Sequence, residues 1–465
     1  MNIKKFTKYR IVSFISLFLC LVFLLSLPSE SAEETEQTED STQGNAWDEF
    51  RTMVSAAPES EQVNAAYLYN IENSVMLYEK NAEEIIFPAS TVKIMTGLIA
   101  CEMLSDRLDE RVTITSNMLA GSAGRNMQLT AGEEILIKDL LYGFICGGYN
   151  DAACAAAAIT SGSVSAFIDD MNEKAKLFGM KSTVYTNPTG LHDDDMVTTA
   201  HDTALLAKEA SGNALYMEIC SAQSYEIAAT NVSDARYFTN RNSLVSGTNA
   251  AYYNGYCKGM NSGSTDEGGF CTVTLWQRNG ASNVCVVMGG IEEDNSDVNY
   301  TYRYVNSLLS WASSEFAYRN VLVAGKALDT QSISMTGTSK SESDILAASS
   351  LSLYLPRSLD IENALVIDCH YDSLPLSAPL SKGEVVGRAT VSFNGHSLGS
   401  LPLAVEDGFE ENGFLKAMMG FKDYLGSRAF VFTLICFILL ILFYLRWISA
   451  PGKRFVVKKR KRRYF

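Results

Sequence analysis

Two apolar runs bracket the chain, and whatever it folds must fold between them. Residues 429–447 are apolar except for Thr433 and Arg446, close to the roughly 20 residues that cross a bilayer as a helix. Eight Lys and Arg follow between Lys453 and Arg463. The positive-inside rule therefore predicts a transmembrane helix over residues 429–449 and a cytoplasmic tail over 450–465, basic enough to touch anionic lipid headgroups. At the other end, Lys4, Lys5, Lys8 and Arg10 precede an almost wholly apolar stretch reaching Leu27, with Ser29 and Ser31 placed as the small residues of a cleavage site. This reads as a signal peptide over residues 1–31; an uncleaved N-terminal anchor is the alternative. The chain is predicted to be exported and held in the cell membrane by its C-terminal helix.

Charge divides along the same lines. The whole chain carries −15, but its ends hold a surplus of bases, which leaves the part between them near −27. A polyanion of this kind argues against nucleic acid or an anionic membrane as the partner of the exported part. Residues 32–59 begin with Glu33, Glu34, Glu36, Glu39 and Asp40 among Ser, Thr and Gln, and read as an acidic linker, disordered at least to Asn45. Residues 60–318 show strand-like runs at both ends, such as Ala65 to Asn70 and Asn283 to Met288, around a middle with helical spacing. That pattern predicts one sheet built from both ends of a domain, with helices inserted. Residues 319–408 alternate short β-type runs with turns, including Asn394-Gly395 between apolar segments, a hairpin signal. They predict a small all-β sandwich. Residues 409–428, with Phe414, Leu415, Met418 and Phe421, form a juxtamembrane connector of amphipathic character.

The chemistry points to Ser90-Thr91-Val92-Lys93. Residues three apart on a helix share a face, so a desolvated lysine here would take the proton of the serine and leave an acyl-transfer nucleophile. Pro88 suits the start of that helix. The spacing alone is common. Its context is not: Met76 to Asn81, Phe87 to Thr96, Asn150-Asp151-Ala152-Ala153, Asn187-Pro188-Thr189-Gly190-Leu191, Thr198 to Asp202 and Gly263 to Gly269 occur in order. On these segments the chain, from about residue 64 to 405, resembles the low-molecular-mass penicillin-binding proteins, the serine-type D-Ala-D-Ala carboxypeptidases of bacterial cell walls. The resemblance implies an α/β transpeptidase/β-lactamase-like catalytic domain, a small C-terminal all-β sandwich domain and one C-terminal transmembrane helix. It also implies peptidoglycan stem peptides as substrate and β-lactams as acylating inhibitors.

The resemblance assigns roles residue by residue. Ser90 would be the nucleophile, Lys93 the general base, and the N–H groups of Ser90 and Ser264 the oxyanion hole. The second motif, Ser-x-Asn in the family, stands as Gly148-Tyr149-Asn150. Asn150 would hold Lys93 and the substrate amide, but the serine is missing, with the Tyr149 hydroxyl or a water as its replacement. The third, Lys-Thr-Gly, stands as Asn261-Ser262-Gly263. It keeps a hydroxyl for the substrate carboxylate and an open strand edge, and loses the lysine. Lys258, an odd number of residues earlier, is expected on the other face. Thr301 stands where the family often has an arginine, and Arg303 lies two positions away. Three readings follow: an active or attenuated carboxypeptidase, a non-catalytic wall-binding or regulatory protein, and a β-lactam hydrolase. No metal or organic cofactor is implied; His192, His201, His370 and His396 lack ligand spacing. The cysteines, dispersed through apolar stretches, read as buried thiols, with a Cys257–Cys271 bridge as the alternative.

Overall fold

The computed structural model describes residues 43–291, 299–337 and 340–449. The segments expected to be a signal peptide and a cytoplasmic tail, and the acidic residues 32–42, lie outside the described residues. Helix α1 (Gln43–Thr52) comes first, then the hairpin β1 (Ala65–Asn70) and β2 (Val75–Lys80). About 180 residues later the chain returns as β3 (Cys257–Thr265), β4 (Gly269–Arg278) and β5 (Ala281–Gly290). The five form one antiparallel sheet in the order β2-β1-β5-β4-β3. β1 joins the two halves, pairing Ala66 with Val287 and Leu68 with Cys285.

Both faces of the sheet are covered, which is why β1 and β5 read as near-continuous apolar runs rather than alternating ones. Tyr67 and Val286 face the inserted helices. Leu68 and Val287 face the helix Tyr300–Glu315, which packs Val305, Leu308 and Leu309 against them. Among the inserted helices, α2 (Lys93–Leu104) is buried nearly all round, as expected of a helix with no polar face. Its first residue is therefore a lysine lodged in the core. Helices α3 (Ile137–Ile145) and α4 (Asn150–Ser161) pack beside it, and α5 (Tyr300–Glu315) closes the domain.

The second domain starts without a linker: α5 ends at Glu315 and a strand begins at Phe316. Its strands form a six-stranded sheet faced by a two-stranded one, around Leu353, Leu355, Val391, Phe393 and Leu403. The Asn394-Gly395 turn has φ of 48° and 85° and joins Phe393 to its partner His396, the geometry that favours Asn-Gly.

One sequence expectation is corrected here. Residues 43–59 are not a free linker, and the segment expected to be disordered up to Asn45 turns helical from Gln43. α1 buries Ala46 and Phe50 in the second core, with the Phe50 ring tilted against that of Phe393 at 4.6 Å between centroids. Trp311 Nε1 then donates to the Ser55 carbonyl and the Tyr304 hydroxyl to that of Pro58, which tethers the segment to α5.

At the C-terminus, α6 (Gly413–Gly426) exposes Phe414, Met418 and Phe421. Within α7 (Arg428–Ser449), residues Arg428–Arg446 have a mean hydropathy of 2.5 and none of that stretch is buried. Among the described residues it is the single unbroken helix long and apolar enough to cross a membrane.

Candidate active site

Ser90 sits in a short 3-10 turn, Ala89–Val92, that runs directly into α2. The residue before it, Ala89, is held at φ 47°, a left-handed conformation that costs an alanine on the order of 1 kcal/mol and tends to mark functional sites. Lys93 Nζ lies 3.3 Å from Ser90 Oγ and donates to the Thr189 carbonyl at 2.5 Å. That carbonyl is aimed by Asn187, whose Oδ1 accepts from the Thr189 and Gly190 N–H groups and the Thr189 hydroxyl. Lys93 is 1 % exposed. Burial pushes its amine down to about 7, and the nearby guanidinium groups of Arg241 and Arg125 push the same way. Near neutral pH much of the population therefore holds an uncharged amine whose lone pair can take the serine proton.

Ser90 opens into a cleft of about 170 Å³. One wall is the edge strand β3, through Ser262, Gly263 and Ser264; the other includes Gly124, Arg125, Gly148, Asn150 and Arg241. A larger groove of about 670 Å³ continues past Ser264 and Thr265 along Gly268 to Phe270. β3 passes so close to Ser90 that a Cβ on Gly263 would stand 2.5 Å from Ser90 Cβ and 2.7 Å from Oγ.

The predicted residues fall into place unequally. Ser90 and Lys93 meet, and Gly263 and Ser264 flank them. Asn150 lines the cleft, but its hydrogen bond does not go to Lys93. It stands in the first turn of α4, where its Nδ2 donates to the Ala123 carbonyl at 2.7 Å and its backbone N–H to that of Arg125. It clamps the rim loop. Tyr149 does not line the cleft; its ring packs edge-on to Phe238 and lies under Arg125 at 4.8 Å. Asn261, within β3, is buried and absent from the cleft lining, and its Oδ1 has no hydrogen-bond partner. The odd-offset argument for Lys258 fails, because β3 carries a bulge between Lys258 and Asn261, with Gly259 and Met260 at positive φ. The extra residue restores the parity. Lys258 and Arg303 are both absent from the cleft lining. The register also sets Cys257 opposite Trp276 and Cys271 opposite Gly263, which keeps those two thiols apart along the ladder.

Ser262 and Thr301 are linked. Ser262 Oγ lies 3.1 Å from Thr272 Oγ1, which lies 2.7 Å from Thr301 Oγ1, which donates to Asn299 Oδ1 at 2.6 Å. Asn299 is the N-cap of α5, and its Oδ1 also accepts from the Thr301 and Tyr302 N–H groups, the usual capping arrangement. Position 301 is thus a buried relay in the domain core rather than a charge at the cleft.

Sequence reasoning missed Arg125 and Arg241. They lie 116 positions apart and belong to none of the three motifs, and only the fold brings them to one wall.

Comparison with known proteins places this architecture. The family model for D-alanyl-D-alanine carboxypeptidase matches residues 52–292, and that for the penicillin-binding protein 5 C-terminal domain matches residues 316–411. The D-alanyl-D-alanine carboxypeptidase DacF of Bacillus subtilis is 27% identical over 369 residues, 78% of this chain and 90% of that protein. DacC of Escherichia coli is 29% identical over 383 residues, covering 79% and 90%. Penicillin-binding protein 5 from Haemophilus influenzae superposes with a TM-score of 0.58 at 24% identity, over 77% of this chain and 100% of that one. At that identity the likeness speaks for the fold alone. The Ser90–Lys93 pair at the foot of a buried helix, the open strand edge beside it and the matched span of both domains place this chain in the D-alanyl-D-alanine carboxypeptidase family.

Proposed function

We propose that the protein removes the terminal D-Ala from peptidoglycan stem peptides through an ester on Ser90, more slowly than a relative with all three motifs intact. The observation that carries this is the buried Lys93 amine, 3.3 Å from Ser90 Oγ and pushed down to about 7. Lys93 takes the Ser90 proton as Oγ attacks the penultimate D-Ala carbonyl. The Ser90 and Ser264 N–H groups receive the oxyanion, and the C–N bond breaks to release D-Ala. The proton returns to the leaving amine from Lys93 or through a water beside Gly148. Water then hydrolyses the ester with Lys93 again as base. The peptide lies along β3 as an added strand, next to Asn261, Ser262 and Gly263. Asn150 keeps the facing rim in position. β-Lactams acylate the same serine. α7 anchors the chain in the cell membrane, with the catalytic domain outside and the basic tail in the cytoplasm.

Gly148, Asn261 and Thr301 favour a second reading, a wall-binding member without turnover. One experiment separates the two. The full-length, detergent-solubilised protein is incubated with benzylpenicillin or with diacetyl-Lys-D-Ala-D-Ala, and adducts are mapped by mass spectrometry after digestion. An adduct on the Ser90 peptide together with D-Ala release is expected. An adduct without release would mean that the nucleophile works but substrate docking has been lost, and the absence of both signals would sink the enzyme reading and leave the second.

The pH dependence has a definite sign. The uncharged amine is the active form, so the penicillin acylation rate should fall about tenfold per pH unit below 7 and level off above it. A limb near the ordinary lysine value of 10.5 would contradict the role of burial.

A further inference from the structure

The cleft receives a peptide that ends in a carboxylate, yet the groups expected to hold that carboxylate are absent or turned away. Asn261 carries no charge, and Thr301 is sealed in the core with 0 % exposure. Ser262 retains a hydroxyl, but the relay beneath it fixes where its proton goes. Asn299 Oδ1 already accepts from two backbone N–H groups, so it is the acceptor end. Thr301 spends its proton on Asn299, Thr272 spends its own on Thr301, and Ser262 is left donating to Thr272. Each hydroxyl has one proton. Ser262 therefore presents lone pairs to the cleft, the wrong polarity for an anion.

The opposite wall has the charge. Arg125 and Arg241 both line the cleft, no carboxylate does, and neither arginine takes part in an ion pair among the described residues. They converge on Gly148. A Cβ there would meet Arg241 Cγ at 3.3 Å and Arg125 Nε at 4.0 Å. The space beside the missing serine is bounded by the stem of Arg241 and by the Arg125 guanidinium. Arg125 is braced for this: Nε donates to the Gly147 carbonyl at 2.9 Å and the group lies over the Tyr149 ring. Both charges also act on Lys93, and two cations lining one cleft without an ion pair, in a chain of net −15, are stabilised by an anion that enters between them.

We propose that Arg125 and Arg241 form the seat for the terminal carboxylate of the substrate, in place of the β3 edge. The proposal rests on the peptide reading given above. Guanidinium forks bind carboxylates bidentately, with geometric selectivity that a lone hydroxyl lacks.

Equilibrium binding tests it independently of turnover. In the full-length Ser90→Ala protein, titration calorimetry compares diacetyl-Lys-D-Ala-D-Ala with its C-terminal amide. The free acid should bind about 10- to 100-fold more tightly, the range for a hydrogen-bonded charge. Adding Arg125→Gln or Arg241→Gln should shrink that preference to about threefold or less while leaving the affinity for the amide unchanged. Arg125→Lys, which keeps charge but loses the fork, should fall between. An acid preference that survives both Gln changes would overturn the seat. So would no preference in the parent, no binding of either peptide, or an equal loss for acid and amide. D-Ala release by the protein with Ser90 intact tests the hydrolysis reading separately, so failure of one does not masquerade as failure of the other.

Discussion

Replacing Lys93 by methionine is expected to slow acylation of Ser90 by benzylpenicillin about 10²- to 10⁴-fold, the usual contribution of a positioned general base, without unfolding the protein. Methionine keeps the length and apolar character of the lysine stem inside α2. What it removes is an amine that is 1 % exposed and donates to Thr189. The loss of that hydrogen bond leaves a carbonyl to be satisfied, at about 1–3 kcal/mol. The gain is relief from a buried ionisable group. The size of that relief depends on pH. The folded-state value is about 7, below the ordinary 10.5. Between those limits the unfolded chain binds a proton that the folded one does not, so this group's contribution to stability rises with pH and is lost as pH falls toward 7. The Lys93→Met protein should lack that slope. Stopped-flow acylation and thermal unfolding at pH 7 and 9 check both halves. An acylation rate within about threefold of the parent would mean that Ser90 has another base.

The parts that could be read from sequence were those in which local pattern and tertiary role coincide. Apolar runs at both ends of the first domain became a sheet closed by those ends, Asn394-Gly395 became a hairpin, and Ser90 and Lys93 met because one helical turn carries both. α1 was legible but overlooked: Ala46, Trp47 and Phe50 recur at helical spacing, hidden by the acidic stretch before them. The bulge at Gly259 and Met260 lay beyond a period-two count, since a strand pattern cannot announce an inserted residue. The cleft's charge was harder still. Arg125 comes from a rim loop and Arg241 from the turn after a hairpin, and nothing local to either says that they share a wall. The direction of the Ser262 proton depends on an N-cap 37 positions away, at Asn299, which no motif encodes. The motif positions announced what was lost; what took over required the fold.

Gly263→Ala should cost nearly as much activity as losing the base, by a different route. The methyl group would stand 2.5 Å from Ser90 Cβ and 2.7 Å from Oγ, inside any allowed contact, so either β3 or the turn 89–92 must move. Neither yields easily. β3 is held to β4 from Asn261 to Thr265, and Ser90 is fixed by the turn that leads into the buried start of α2. Overpacking of this kind typically costs about 1–3 kcal/mol of stability. A displacement near 1 Å at the reacting oxygen costs on the order of 10²-fold in rate. The same shift would pull the Ser264 N–H off the oxyanion position and narrow the strand edge where the peptide lies. The signature is therefore a joint loss: slower acylation by penicillin, weaker peptide binding in the Ser90→Ala background, and a lower melting temperature. Lys93→Met should spare the second of these. If Gly263→Ala acylates at the parent rate, β3 does not press on Ser90 as the geometry requires, and the cleft must be wider in solution than 170 Å³.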